Sequence, residues 1–259
     1  MEIILVEGQV MTRHPSHPAQ ADVKPMGHVI HQKIVGIAAG QVRQGTDDGT
    51  TNRRLKVLEK NVTLDTAMRL QKLLQSRGYR VVMTRTEDRY VGLEQRADIA
   101  NRAHADLFIS IHFNSLENAA GVTGTETYVL TPQFQASTQP EKDRTMIPAL
   151  YPGNRADHWN IVFGYQVHRQ LLADLQTPDR GLKRARWVVL RLIDCPGVLV
   201  ESAYLSNEAE ARRVAAPEYR QRIAEAIARG VEDYAAVLAS LYPGGAGAPE
   251  TRLPSPSPR

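Results

Sequence analysis

The stretch LFISIHFNS, residues 107–115, decides how the chain is read. Leu107, Phe108, Ile109 and Ile111 form a near-continuous apolar run, as expected of a strand covered on both faces. The strand nevertheless closes on His112 and Asn114, an imidazole followed by an amide. A histidine in that place has three readings: a hydrogen-bonded core residue, a general base or a metal ligand.

Working outward, strands and helices alternate. LEQRADIANRAHA (93–105) reads as a helix, and YRVVMTR (79–85) before it reads as a strand. LDTAMRLQKLLQSRG (64–78) is an amphipathic helix with Ala67, Leu70, Leu73 and Leu74 on one face. Gly78 stands where a helix stop belongs. KIVGIA (33–38) is a short apolar strand, and TETYVL (125–130) alternates like another. Residues 131–158 are long for a plain connection and rich in Pro and polar residues. They are read either as a lid or partner-binding loop or as a disordered insertion. A helix is expected near Trp159–Leu175, strands at WVVLRL (187–192) and GVLVES (197–202), and a last helix over 217–240. That helix spaces Tyr219, Ile223, Ile227, Val231, Tyr234 and Leu238 along one face. The expectation is one α/β domain, residues 33–241, whose mixed or parallel twisted sheet is covered by helices on both faces. Residues 1–32 read as an extension with a short strand at Ile3–Val6, and 242–259 as a disordered tail rich in Gly, Pro and Ser.

Composition narrows the classes. The 259 residues are 42% hydrophobic and 23% charged, ordinary for a globular protein, with a net charge of +4. That bias is too weak to indicate nucleic acid. Arg180, Lys183, Arg184 and Arg186 are read as a solvated face. Cys195 is the only cysteine, which excludes an internal disulfide and a cysteine-based zinc site; it is read as a buried inert thiol. No run reaches the length of a membrane span, and MEIILVEGQVMTRHP, interrupted by Glu2 and Glu7, does not read as a signal peptide.

In an open α/β sheet, ligands gather at the carboxyl ends of the strands. His112 ends LFISIH, Glu201 ends GVLVE, Gln41 follows KIVGIA, and Glu59 stands just before the first long helix. A carboxylate and an imidazole can hold zinc, whose catalytic sites take three protein ligands plus water. The metal lowers the pKa of that water to about 7, and a further carboxylate can act as general base and return the proton to a leaving amine. Glu59 and His112 suit the ligand role and Glu201 the base. The bland alternatives are a helix-start carboxylate for Glu59, a core histidine for His112 and a salt bridge for Glu201. Asn114 either orients substrate or caps the turn after its strand. His168 is read as a satisfied semi-buried histidine and His104 as a helix-end surface residue.

The phrases EKN (59–61), RADIAN (96–101), DLFISIHFNS (106–115) and VLVESAYLSN (198–207) decide among these. With GTETYVL and the closing helix they make the chain similar to the zinc-dependent N-acetylmuramoyl-L-alanine amidases of peptidoglycan, over roughly residues 33–240. The resemblance implies a zinc hydrolase with a mixed sheet, in which Glu59 and His112 bind the metal and Glu201 is the catalytic carboxylate. It also implies peptidoglycan or muropeptides as substrate and a location in the cell envelope. The chain departs from the family at the first motif, Asp-Pro-Gly-His-Gly-Gly, whose histidine is a zinc ligand. Here AAGQVRQG puts Ala38 for the aspartate, Gln41 for the histidine, and Val42 and Arg43 for the glycines. Asp47 and Gly49 echo the following aspartate and glycine, displaced along the chain. An amide oxygen is a poorer zinc donor than imidazole. Either Gln41 ligates weakly, or His28 or His31 substitutes for the missing ligand. Three functional readings stay open: an active amidase, an amidase-like module that binds wall fragments or a partner without hydrolysis, and a zinc peptidase acting on another amide.

Overall fold

The computed structural model describes residues 34–39, 51–138 and 148–241. In chain order the strands are β1 (Ile34–Ala39), β2 (Thr51–Asn52), β3 (Val57–Leu58), β4 (Arg80–Met83), β5 (Leu107–Asn114), β6 (Thr125–Leu130), β7 (Asp179–Ala185) and β8 (Gly197–Tyr204). The helices are α1 (Glu59–Ser76), α2 (Leu93–Arg102), α3 (Asp157–Leu175), α4 (Val188–Leu192), α5 (Glu208–Ala215) and α6 (Pro217–Leu241), with a 3-10 turn at Pro152–Ala156.

Six strands form one sheet in the order β4-β1-β5-β8-β6-β7. All neighbours run parallel except β6 and β8, which are antiparallel. The α/β mixed sheet with helices on both faces is therefore as expected. Side chains alternate across it. From β5, Leu107, Ile109, Ile111 and Phe113 enter the large core beneath α1, α3 and α6, whereas Phe108 enters a smaller core with α2 and α4. Parity then puts Ser110, His112 and Asn114 on the small-core side. The same parity puts Glu201 beyond Leu199 on β8, and Glu126 before Tyr128 on β6. Because β6 and β7 run opposite to β8, their amino ends lie beside the carboxyl ends of β5 and β8. The fold thus gathers polar residues at one end and one face of the sheet.

The predicted apolar faces are found. Ala67, Leu70 and Leu74 are buried on α1, and Tyr219, Ile223, Ile227, Val231 and Tyr234 on α6. α3 and α6 approach closely at Gly230, where an added Cβ would sit 2.6 Å from the Val167 Cα. Gly230→Val should therefore cost about 2–3 kcal/mol by overpacking. The measurement is a lowered urea midpoint with an unchanged denaturant slope; an unmoved midpoint would disprove the close approach.

Several expectations are corrected. WVVLRL is not a strand: Val188–Leu192 is the short helix α4, burying Val189 and Leu190. A short apolar run carries no periodicity that separates the two states. The strand there is instead β7, formed by the cationic stretch DRGLKRA. The described parts of 131–158 are not a disordered insertion. Thr138 and Arg184 exchange hydrogen bonds, and Arg186 donates to Gln135 O and Ser137 Oγ. These contacts dock the loop on β7. Glu59 is the first residue of α1 rather than preceding it. His168 is buried between Thr127 and Asp179, as expected, and His104 is exposed after α2. Cys195 is buried, and burial pushes its thiol pKa up. The strand expected at Ile3–Val6 and the residues His28, His31, Gln41, Asp47 and Gly49 lie outside the described residues.

Candidate active site

β5 delivers His112 and α1 delivers Glu59 to one point. His112 Nδ1 lies 3.0 Å from Glu59 Oε1, and the Phe113 amide donates to that same oxygen at 3.5 Å. Glu59 is 2% exposed. The Nδ1–H tautomer satisfies both neighbours, with Nδ1 donating to Glu59 Oε1 and Nε2 accepting from Ser110 Oγ at 3.0 Å. Arg85 and Arg96, both buried, each feel the charge of Glu59. Arg85 donates to the Ala39 carbonyl at the end of β1 and to Lys60 O at the start of α1, tying the two elements together. Burial pulls the Arg96 guanidinium down to about 10, and the attraction of Glu59 partly offsets that shift.

Glu201 is the Cα partner of His112 across β5–β8 and of Glu126 across β8–β6. Directly paired residues share a face, with Cβ atoms about 5 Å apart. His112, Glu201 and Glu126 therefore form a row across three strands. Glu201 is half-buried, and its Oε2 is shut off from solvent with no hydrogen-bond partner among the described residues. Among the described residues Glu201 forms no salt bridge, and the charged neighbours that act on it, Glu59 and Glu126, are carboxylates. Burial pushes its pKa well above the usual carboxylate range, and Glu59 and Glu126 push it further.

Glu126 was not singled out from sequence, although a carboxylate on the inward face of an alternating strand is a legible signal. It is 2% exposed. Oε1 accepts from Arg180 Nε at 2.9 Å, from Lys183 Nζ at 2.6 Å and from the Tyr204 hydroxyl. Oε2 accepts from the Tyr128 hydroxyl at 2.6 Å and from Asn114 Nδ2 at 3.4 Å. Burial alone would raise this carboxyl, but the bonds from Lys183, Tyr128, Tyr204 and Arg180 overcome it and bring the pKa to about 2. Arg180 and Lys183 are therefore not merely a solvated face. Asn114 also caps its turn, because Oδ1 accepts from the Ser115 amide at 2.7 Å.

Two register shifts build this cluster. On β8 the step from Glu201 to Tyr204 matches the step from His112 to Asn114, so one extra residue is absorbed. On β7 the step from Asp179 to Leu182 matches that from Thr125 to Thr127, with Gly181 at φ +96 taking up the difference. Glu210 on α5 holds the neighbourhood: its oxygens accept from the amides of Tyr204 and Gly124.

The donor set suits a divalent cation. Two ligand atoms at about 2.0–2.1 Å from a tetrahedral zinc lie roughly 3.3 Å apart, close to the 3.0 Å between Glu59 Oε1 and His112 Nδ1. Among the described residues no third His, Cys, Asp or Glu completes a cage.

Comparison with known proteins follows the same outline. A family model described as N-acetylmuramoyl-L-alanine amidase, the type named Amidase_3, matches residues 35–233. The YqiI protein of Bacillus subtilis (strain 168) is 32% identical over 79% of this chain and 86% of its own length. The N-acetylmuramoyl-L-alanine amidase LytC of the same organism is 32% identical over 69% of this chain, which spans only 31% of LytC. The crystal structure of an N-acetylmuramoyl-L-alanine amidase from Clostridium difficile 630 superposes with a TM-score of 0.66 at 27% identity, covering 79% of this chain and 97% of that one. The strand order, the His112–Glu59 pair and these matches converge: the chain belongs to the Amidase_3 family of N-acetylmuramoyl-L-alanine amidases.

Proposed function

We propose that the chain is a zinc-dependent hydrolase of the amide between muramic acid and L-alanine in peptidoglycan, working in the cell envelope. The observation that carries this reading is the meeting of Glu59 and His112 at 3.0 Å beside the row that holds Glu201. Glu59 and His112 would hold the ion, and the third ligand would be Gln41, through its amide oxygen, or else His28 or His31. Zinc bound there supplies an acidified water and a Lewis acid for the amide carbonyl. A neutral His112 would bind it through Nδ1 with its one ring proton moved to Nε2, where Ser110 Oγ stands at 3.0 Å to accept it. Glu201 Oε2 takes the proton from the attacking water and returns it to the nitrogen of the leaving alanine. A cation held by its neighbours would lower the raised pKa of Glu201 and favour the carboxylate form that a base needs. Asn114 orients the substrate from the end of β5.

A second reading rests on one sequence observation, the replacement of the family's histidine by Gln41 and of its aspartate by Ala38. In that reading the chain binds wall fragments without cleaving them. Among the described residues no helix is long and apolar enough to cross a membrane.

The experiment is metal analysis of the purified protein together with muropeptide cleavage, repeated on Gln41→His. The amidase reading expects zinc and turnover in the unaltered chain. The imidazole should tighten zinc by about 10–100-fold or more, the scale of even an outer-shell change. Absence of zinc and turnover in the unaltered chain, with gain of both in the variant, would leave the binding-module reading standing instead.

A further inference from the structure

We infer that Arg180 and Lys183 form a carboxylate-recognition site beside the reacting amide, which selects substrates acidic on the peptide side. This rests on the amidase reading for the identity of the substrate, but its geometry is independent of the metal. The row begun by His112, Glu201 and Glu126 continues onto β7, because Glu126 faces the Arg180–Gly181 step. In a regular strand residues 180 and 183 would point to opposite faces. The extra residue at Gly181, whose φ of +96 suits glycine, turns both cations to the same side. The outcome is visible in their bonds: Arg180 Nε and Lys183 Nζ both donate to Glu126 Oε1.

One carboxylate needs one cation to balance it, and Glu126 also receives two phenol hydroxyls and an amide. The second cation is therefore surplus in charge. It is also reachable, since the side chains of Arg180 and Lys183 are 36% and 25% exposed whereas Glu126 is 2% exposed. Arg carries five N–H donors and Lys three, and Glu126 engages one nitrogen of each. Glu126 and the ring of Tyr204, over which Arg180 lies at 5.3 Å, hold the guanidinium in place before any ligand arrives. A preorganised cationic pair of this kind is suited to a planar anion.

The position selects which anion. Strands lie about 4.8 Å apart, so β7 stands roughly 10 Å from the strand of Glu201. An extended peptide advances at most about 3.3–3.6 Å per residue, so this distance falls within the first three residues beyond the cleaved bond. On the sugar side of a muramoyl amide the lactyl carboxyl is consumed in the bond itself, which leaves no charge there. The anion must then be a carboxylate on the peptide.

The test uses two synthetic muropeptides that differ only in one group: a free carboxyl on the residue after alanine, or its carboxamide. Binding is measured by calorimetry and cleavage by chromatography, on the full chain. The expected result is at least about tenfold tighter binding of the acid, a preference that shrinks with added salt. In Arg180→Gln/Lys183→Met the two ligands should bind alike, while Arg180→Lys retains part of the preference. Equal or undetectable binding of both by the unaltered chain overturns the inference whatever the variants do. So does an undiminished preference in the double variant. A preference without cleavage would sink the amidase reading and leave the carboxylate site intact; cleavage of both at equal efficiency would do the reverse.

Discussion

Glu201→Gln should lower kcat on muropeptides by about 10²–10⁴-fold, the range a positioned general acid–base group contributes. The substitution keeps shape and volume but removes the group in the row whose buried oxygen has no partner among the described residues. It should leave the Glu59–His112 pair and the zinc content unchanged, which separates loss of the proton carrier from loss of the metal. Stability should move the other way. A carboxyl whose folded pKa is raised binds a proton more tightly folded than unfolded, so the stability it confers is lost as pH rises from its ordinary value through the raised one. At neutral pH the metal-free Gln variant, uncharged at that point, should melt above the unaltered protein. Cleavage that persists at the original rate would remove Glu201 from the mechanism, and an unchanged melting temperature would contradict its desolvated placement. A site that stabilises the reaction at the expense of the fold is an expected trade.

The second large effect is on stability itself. Glu126→Ala takes the acceptor from Arg180, Lys183, Tyr128 and Tyr204 at once, and breaking such a buried pair by removing one partner costs about 3–5 kcal/mol. The pH dependence identifies the cause. Glu126 has its pKa lowered to about 2 from 4.5, so its contribution is complete above the unfolded value and disappears as pH falls through the folded one. A shift of that size corresponds to about 3 kcal/mol. The gap in urea midpoint between the unaltered chain and the variant should therefore be full at pH 7 and close between about pH 5 and pH 2. A gap that stays constant over that window would mean that lost packing, not the charge, accounts for the destabilisation.

Much of the layout was legible along the chain. The apolar run 107–111 announced a doubly covered strand because such a strand has no solvent side to alternate with. Spacing of Leu70 and Leu74 on α1, and of Ile223, Ile227 and Val231 on α6, announced helices with one buried face. Phrases of the family then singled out Glu59, His112 and Glu201, two of which the fold brings within 3.0 Å across fifty-three residues of separation. WVVLRL failed because six residues, five of them apolar, are too few for a period, and β7 was missed because its stretch is cationic and its Gly181 breaks the alternation.

What sequence alone determined about this protein is most of its elements and three candidate site positions, since local spacing records which face each segment must bury. Only the tertiary structure decided who stands beside whom. Strand order and one antiparallel pairing put Glu126 opposite Glu201, and two added residues in β7 and β8 turned Arg180 and Tyr204 onto the same face. The reason is physical: a register shift depends on hydrogen bonds between segments distant in the chain, and a shift of one residue reverses every side chain beyond it.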